Sequence, residues 1–262
     1  MWWTAGAEDP PQAYQPYSSP IVSGGRAFVA TAGVLPEEHK LLCFDVAGGK
    51  LLWKTAIPPG PVQELKLPPY PDKRKAQELS HSYGYNCPTP CTDGERVYVT
   101  FGTGVMAAVD FQGQLVWHTP LINVERAGGV KKPVDSNKYF NLVLATSPVL
   151  YKDLVIQICD NGNSLHIVPA GEDIMDYKHK ASFIKAFGRR TGELRYRQDR
   201  TVRGNNASWS TPVVVALANK MMLIHKCQTG VQGIDPENGN VLWRVWKQQS
   251  TTTAPVYWSS QR

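Results

Sequence analysis

Leu42-Cys43-Phe44-Asp45-Val46-Ala47-Gly48-Gly49-Lys50-Leu51-Leu52-Trp53 decides the fold, because the same grammar recurs three more times. The copies are Ala107-Ala108-Val109-Asp110-Phe111-Gln112-Gly113-Gln114-Leu115-Val116-Trp117, then Lys185-Ala186-Phe187-Gly188-Arg189-Arg190-Thr191-Gly192-Glu193-Leu194-Arg195-Tyr196, and Gln232-Gly233-Ile234-Asp235-Pro236-Glu237-Asn238-Gly239-Asn240-Val241-Leu242-Trp243. Each is an apolar run, an Asp, a short turn, a Gly, a polar residue, a second run and an aromatic. The Asp carboxylate can accept turn amides. The Gly supplies the positive φ of a bulged hairpin. The closing indole has a broad face for a neighbouring sheet and an N–H that needs a partner. The third copy departs from the pattern, with Gly188 in place of Asp and Tyr196 in place of Trp.

A second signature precedes each hairpin: Ser18-Ser19-Pro20-Ile21-Val22, Cys87-Pro88-Thr89-Pro90-Cys91, Thr146-Ser147-Pro148-Val149-Leu150 and Ser210-Thr211-Pro212-Val213-Val214. Pro is tolerated at the first residue of a strand, where no ladder bond is lost. Each signature leads through a turn into an apolar run: Arg26-Ala27-Phe28-Val29-Ala30, Arg96-Val97-Tyr98-Val99-Thr100, Leu154-Val155-Ile156-Gln157-Ile158 and Met221-Met222-Leu223-Ile224-His225. Each unit therefore reads as four antiparallel strands, A to D, with A beginning at the Pro. Tandem four-stranded sheets are the blades of an all-β propeller. Residues 1–262 form a single domain of this kind, with four blades and, at Thr253-Ala254-Pro255-Val256-Tyr257, the start of a fifth.

Blade periods of about 40–50 residues are usual, and the excess here falls in insertions at about 58–80, 123–141 and 169–180. The first ends in a charged stretch with one helical turn near Lys73–Glu78. Such loops decorate one face and are the usual home of binding residues. Trp2-Trp3-Thr4-Ala5 reads as a strand D with no blade before it, and Gln261-Arg262 falls inside a new strand A. The expectation is an incomplete propeller, a fragment lacking blades and an export signal.

Composition narrows the function classes. Apolar residues make up 42% and charged residues 19%, too apolar for a disordered chain. The net charge of +6 comes from scattered Lys and Arg, with short clusters at Lys73-Arg74-Lys75, Lys131-Lys132 and Arg189-Arg190. A nucleic-acid binder concentrates its charge on one face, so no nucleic-acid partner is expected; a polyanion-binding module is a third reading, and it requires affinity that falls steeply with salt. No stretch is long enough to span a bilayer, and Met1-Trp2-Trp3-Thr4-Ala5 runs into Glu8 and Asp9 without the apolar core of a signal peptide. Of the five cysteines, Cys43, Cys159 and Cys227 sit in strand-like runs as small buried apolar residues. Cys87 and Cys91, held about 13 Å apart by an extended Pro-Thr-Pro, are too distant for a disulfide, and no zinc pattern is completed.

These motifs, above all Cys43-Phe44-Asp45 through Trp53, Val109-Asp110 through Trp117 and Gly233-Ile234-Asp235 through Trp243, resemble those of pyrroloquinoline-quinone (PQQ)-like β-propeller repeat proteins. Thr92-Asp93-Gly94-Glu95-Arg96-Val97-Tyr98-Val99, Ser147 to Leu154 and Trp209-Ser210-Thr211-Pro212 are similar to a bacterial subgroup of them, many exported, which implies a periplasmic or extracellular setting. The resemblance covers nearly the whole chain outside the insertions. It implies either a non-catalytic binding scaffold or part of a quinoprotein dehydrogenase acting on an alcohol or sugar. The enzymes of the family need PQQ, a calcium ion held by carboxylate and amide oxygens, a catalytic Asp and often two adjacent cysteines.

No adjacent cysteine pair exists in this chain. Asp160-Asn161-Gly162-Asn163 offers oxygen ligands but reads as a strand-end turn. Asp45, Asp110 and Asp235 read as turn residues, and His118 and His225 as strand-end or core histidines. His81, Tyr83, Tyr85 and Asn86, with Asn205, Asn206, Trp209 and Ser210, mix aromatic faces with amide donors ahead of a strand A and are the ligand-binding candidates. The reading is a binding or scaffold propeller holding a protein or small-molecule ligand at one face, with no catalytic residue, metal or cofactor assigned; PQQ and Ca²⁺ enter only under the dehydrogenase alternative.

Overall fold

The computed structural model describes residues 18–31, 39–58, 88–101, 104–121, 146–160, 182–200, 210–217, 219–227 and 230–246. These form four antiparallel sheets of four strands. Blade 1 holds β1 (Ile21–Ser23), β2 (Arg26–Thr31), β3 (Lys40–Asp45) and β4 (Leu51–Ala56). Blade 2 holds β5 (Cys91–Thr92), β6 (Arg96–Phe101), β7 (Val105–Asp110) and β8 (Leu115–Pro120). Blade 3 holds β9 (Val149–Tyr151), β10 (Leu154–Cys159), β11 (Ser182–Gly188) and β12 (Leu194–Arg200). Blade 4 holds β13 (Val213–Leu217), β14 (Lys220–Cys227), β15 (Gly230–Ile234) and β16 (Val241–Trp246). In every sheet neighbours in space are neighbours in sequence. The first strand begins one residue after the expected Pro in all four blades, since Pro has no N–H to give the ladder.

The hairpin between the third and fourth strands is nearly identical in each blade. Asp45 Oδ2 accepts the Gly48 amide at 2.6 Å, and Asp110 Oδ1 accepts the amides of Gln112 and Gln114 at 2.9 and 2.8 Å. Asp235 Oδ1 accepts the Glu237 amide at 2.8 Å. In blade 3, where Gly188 replaces the Asp, Thr191 Oγ1 accepts the Glu193 amide and the backbone pattern survives. A bulge follows the turn at the same register in all four, with Leu52, Val116, Arg195 and Leu242 left without an opposite residue. It sets the aromatic of the fourth strand opposite a small residue of the third: Trp53 opposite Cys43, Trp117 opposite Ala108, Tyr196 opposite Ala186 and Trp243 opposite Gly233.

That ring reaches forward to the next blade. Trp53 Nε1 donates to the Phe111 carbonyl at 2.9 Å, Trp117 Nε1 to the Arg189 carbonyl at 3.0 Å, and the Tyr196 hydroxyl to the Pro236 carbonyl at 3.0 Å. Each acceptor is the first residue after the Asp (or Gly188) of the next turn. The rings also lie on the turn glycines. A Cβ on Gly113 would fall 2.8 Å from the Trp53 ring, and one on Gly192 2.7 Å from the Trp117 ring. Those glycines thus serve twice, for positive φ (89° and 72°) and for close approach.

Three apolar slabs fill the gaps between blades. Phe28, Leu41, Val99 and Phe101 lie between blades 1 and 2; Tyr98, Met106, Leu121 and Phe183 between blades 2 and 3; Ile156, Ile184, Leu223 and Ile234 between blades 3 and 4. Each fully buried Leu, Ile or Phe contributes about 1.5–3 kcal/mol.

Candidate functional site

In an up-and-down sheet of four strands, one end collects the start of strand 1, the end of strand 2, the start of strand 3 and the end of strand 4. At the other end the described residues form tight turns: Gly24-Gly25, Asp93 to Glu95, Lys152-Asp153 and the hairpins between third and fourth strands. Every long connector departs from and returns to the first end, namely those after Ala56, Pro120, Cys159 and Arg200. All three sequence insertions fall in these connectors.

Beneath that end the core becomes polar, blade by blade. At one register in the second and third strands, blades 1 and 2 pair Val29 with Leu42 and Val99 with Ala107. Blades 3 and 4 pair Gln157 with Lys185 and His225 with Gln232 instead, all four buried. Thr100 Oγ1 donates across the blade 2–3 gap to Gln157 Oε1 at 2.9 Å, and Gln157 Nε2 donates to the Thr146 carbonyl at 2.7 Å. Lys185 Nζ donates to the Leu121 carbonyl at 2.6 Å and lies over the Phe183 ring. Burial, then the nearby Arg197 charge, lower the Lys185 pKa from the usual lysine value.

The blade 3–4 gap holds an ion pair. Arg200 stands four residues after Tyr196, where Ile57 follows Trp53 and Leu121 follows Trp117. Its Nε and Nη2 donate to Asp160 Oδ1 at 2.8 Å and Oδ2 at 3.2 Å. The side chains are 2% and 0% exposed. His225 Nδ1 lies 3.3 Å from Arg200 Nη2, and the ring also hydrogen-bonds the Ser210 backbone. Burial lowers the His225 pKa to about 4; Asp160 opposes this and Arg200 adds to it. Neutral imidazole accepting from the guanidinium satisfies that geometry. Arg200 Nη1 and Gln232 Oε1, also buried, have no hydrogen-bond partner among the described residues.

The turn expected at Asp160-Asn161-Gly162-Asn163 runs beyond the described residues, but the Asp160 carboxylate itself pairs with Arg200. Its oxygens are taken by a guanidinium that the third blade substitutes for an apolar residue. For the same reason Asp160 does not fit a calcium ligand. Among the described residues no three His, Cys, Asp or Glu side chains converge as metal ligands. His225 is a core histidine, while His118 is exposed on β8. Of the ligand candidates, Ser210 is buried against His225. His81, Tyr83, Tyr85, Asn86, Asn205, Asn206 and Trp209 lie outside the described residues, as do the helical turn near Lys73–Glu78, Asn161 to Asn163, Cys87, the Trp2–Ala5 segment and the fifth strand A at Thr253–Tyr257. Sequence reasoning missed Arg200, Lys185 and Gln157. A register alignment finds them as polar residues at positions that are apolar in blades 1 and 2.

Tandem four-stranded sheets latched by aromatic–glycine contacts define a PQQ-like β-propeller. The family model described as outer membrane protein assembly factor BamB matches residues 2–170, and the chain belongs to that PQQ-like repeat family. Quinohemoprotein alcohol dehydrogenase from Comamonas testosteroni superimposes with a TM-score of 0.57 at 13% identity, over 92% of this chain and 36% of that one. A europium-containing methanol dehydrogenase gives 0.52 at 15% identity, over 87% and 41%. BamB from Moraxella catarrhalis gives 0.39 at 14% identity, over 92% and 67%. This chain thus spans well under half the length of the two dehydrogenases, and the likeness to them is one of fold. A comparison with curated proteins finds no match.

Proposed function

We propose that this chain is a binding propeller of the cell envelope whose loop-bearing end holds a protein partner taking part in outer membrane protein assembly. The observation that carries the reading is the placement of every long connector at one end of the blades, above a polar, fully buried layer that fixes the strand ends from which those connectors spring. Hydrogen bonds across the gaps, Arg200 to His225 and Thr100 to Gln157, hold neighbouring blades at one spacing, and the Arg200–Asp160 pair within blade 3 fixes the guanidinium. A rigid base lowers the ordering cost of binding through loops. The family description supplies the class of partner.

The test is site-specific photo-cross-linking in cells. A cross-linking residue at exposed Pro120, at the loop-bearing end, is expected to form an adduct with an outer membrane assembly component, and one at exposed Asn238, at the turn end, is not. Adding PQQ and Ca²⁺ to the purified chain provides the opposing outcome. A stoichiometric quinone spectrum with dye-linked alcohol oxidation would replace the scaffold reading with a dehydrogenase one.

A further inference from the structure

Each junction inside the chain mates a forward face, turned to the next blade, with a backward face, turned to the previous one. On the backward face of blades 2, 3 and 4 the register pairs Val97–Val109, Val155–Phe187 and Leu223–Ile234 are buried. The same register of blade 1 holds Ala27 and Phe44, beside Val29 and Leu42, and all four are only half-buried. On the forward face, Phe28, Tyr98 and Ile156 with Leu41, Met106 and Ile184 are 0% exposed in blades 1 to 3. Their register counterparts in blade 4, Ile224 and Val231, are half-buried, as is neighbouring Val213. Among the described residues no apolar cluster joins blade 4 to blade 1. Trp243 shows the same contrast. The aromatics of blades 1 to 3 lie on Gly113, Gly192 and Gly239 of the following blade, whereas the Trp243 ring lies back on Gly233 of its own sheet, where a Cβ would fall 2.2 Å from it.

We propose that two copies of this chain associate head to tail, the forward face of blade 4 in each copy against the backward face of blade 1 in the other. The two faces are the halves of a junction that the chain already builds three times, with apolar residues at the same registers. Blade 1 also offers the seat an aromatic needs: Gly49, with φ of 72°, repeats the turn glycines Gly113, Gly192 and Gly239 at 89°, 72° and 78°. In the pair Trp243 turns outward onto Gly49 of the other copy, and Ile224 and Val231 pack on its Val29 and Leu42. Val29 and Leu42 stand where blades 3 and 4 carry Gln157–Lys185 and His225–Gln232, so this backward face asks for no polar partner. Lys226 shares the forward face at the register of Thr100 and can lay its stem across the gap with Nζ toward the loop-bearing end. Such a contact is heterologous, and it either closes or grows without limit. Propellers hold about 4–8 blades, so two sets of four close a ring and a third set exceeds it. The pairing is independent of what the loop-bearing end holds, and either reading can fail without the other.

Sedimentation equilibrium of the purified chain over a range of concentrations is the test. The mass should rise with concentration and level off at twice that of one chain. Val231→Arg on the forward face and Leu42→Arg on the backward face should each weaken the association by about tenfold or more, equivalent to about 1.4 kcal/mol, with far-UV spectra that match the parent. An equimolar mixture of the two variants should regain a pair, because the intact forward face of one can meet the intact backward face of the other. A symmetric contact between like faces cannot be regained in this way. Hydrogen exchange on the parent needs no variant: β2, β3, β14 and β15 should exchange more slowly in concentrated than in dilute solution, and β6, β7, β10 and β11 should not change. Four results would each overturn the proposal: a single-chain mass at every concentration, which leaves both faces to residues of the same chain; a mass that climbs without limit; a mixture of folded variants that stays monomeric; or slowed exchange confined to other strands.

Discussion

The Trp117 ring lies on Gly192 of the following blade, so closely that a Cβ there would sit 2.7 Å from it, while the indole N–H donates to the Arg189 carbonyl at 3.0 Å. Packing and hydrogen bonding thus act on the same few atoms, which makes the blade 2–3 junction sensitive to small changes. Gly192→Ala should cost about 2–4 kcal/mol, from overpacking added to an unfavourable φ. Trp117→Phe should cost about 1 kcal/mol for the lost hydrogen bond, besides the lost ring area. Pairing Gly192→Ala with Trp117→Ala should cost less than the sum of the two, because the clash is gone. Urea unfolding of the parent, the three single variants and the double variant measures each step.

Stability should fall with acid in a defined window. Burial lowers the pKa of both His225 and His39 to about 4, against about 6.5 for an unfolded histidine. Between these values the unfolded chain takes up protons that the folded chain refuses. The contribution is therefore complete above about pH 6.5, declines as pH drops, and is gone by about pH 4, up to about 3 kcal/mol per histidine. His225→Gln introduces the residue that blade 3 uses at this register, Gln157, and should roughly halve the slope. Denaturant midpoints measured at intervals across that range would show it.

Breaking the buried ion pair should be worse than removing it. Asp160→Ala leaves the Arg200 guanidinium buried without its carboxylate and should cost about 3–5 kcal/mol. Adding Arg200→Leu copies the apolar choice at Leu121 and should recover most of that loss. Comparable unfolding midpoints for the single and double variants would refute this account of the pair.

The thiols should be unreactive until the fold opens. Cys43, Cys159 and Cys227 are buried, and burial, then the Asp93 charge, push the Cys91 pKa up to about 12. Since only the thiolate attacks, iodoacetamide should label these four slowly in the native chain and promptly in urea. Mass spectrometry of the labelled peptides reports each site.

The repeat by itself determined the architecture. Asp, Gly and Trp at fixed offsets encode local geometry, and local geometry repeated four times leaves little freedom beyond strand order. Hence the turns at Asp45, Asp110 and Asp235, the hairpin built without an Asp at Gly188, and the role of Tyr196 as a substitute latch could all be read from sequence.

The polar layer could not be read that way. Asp160, Arg200 and His225 are separated by tens of residues and belong to three different strands or strand ends, so nothing local marks them as partners. The blade 3 sheet sets Asp160 beside Arg200, and the stacking of blade 4 brings His225 within hydrogen-bond range of the guanidinium. Burial there turns what reads as a turn carboxylate and a strand histidine into one charge-balanced unit, because an ion taken out of water needs a partner that only the neighbouring strand or blade can supply.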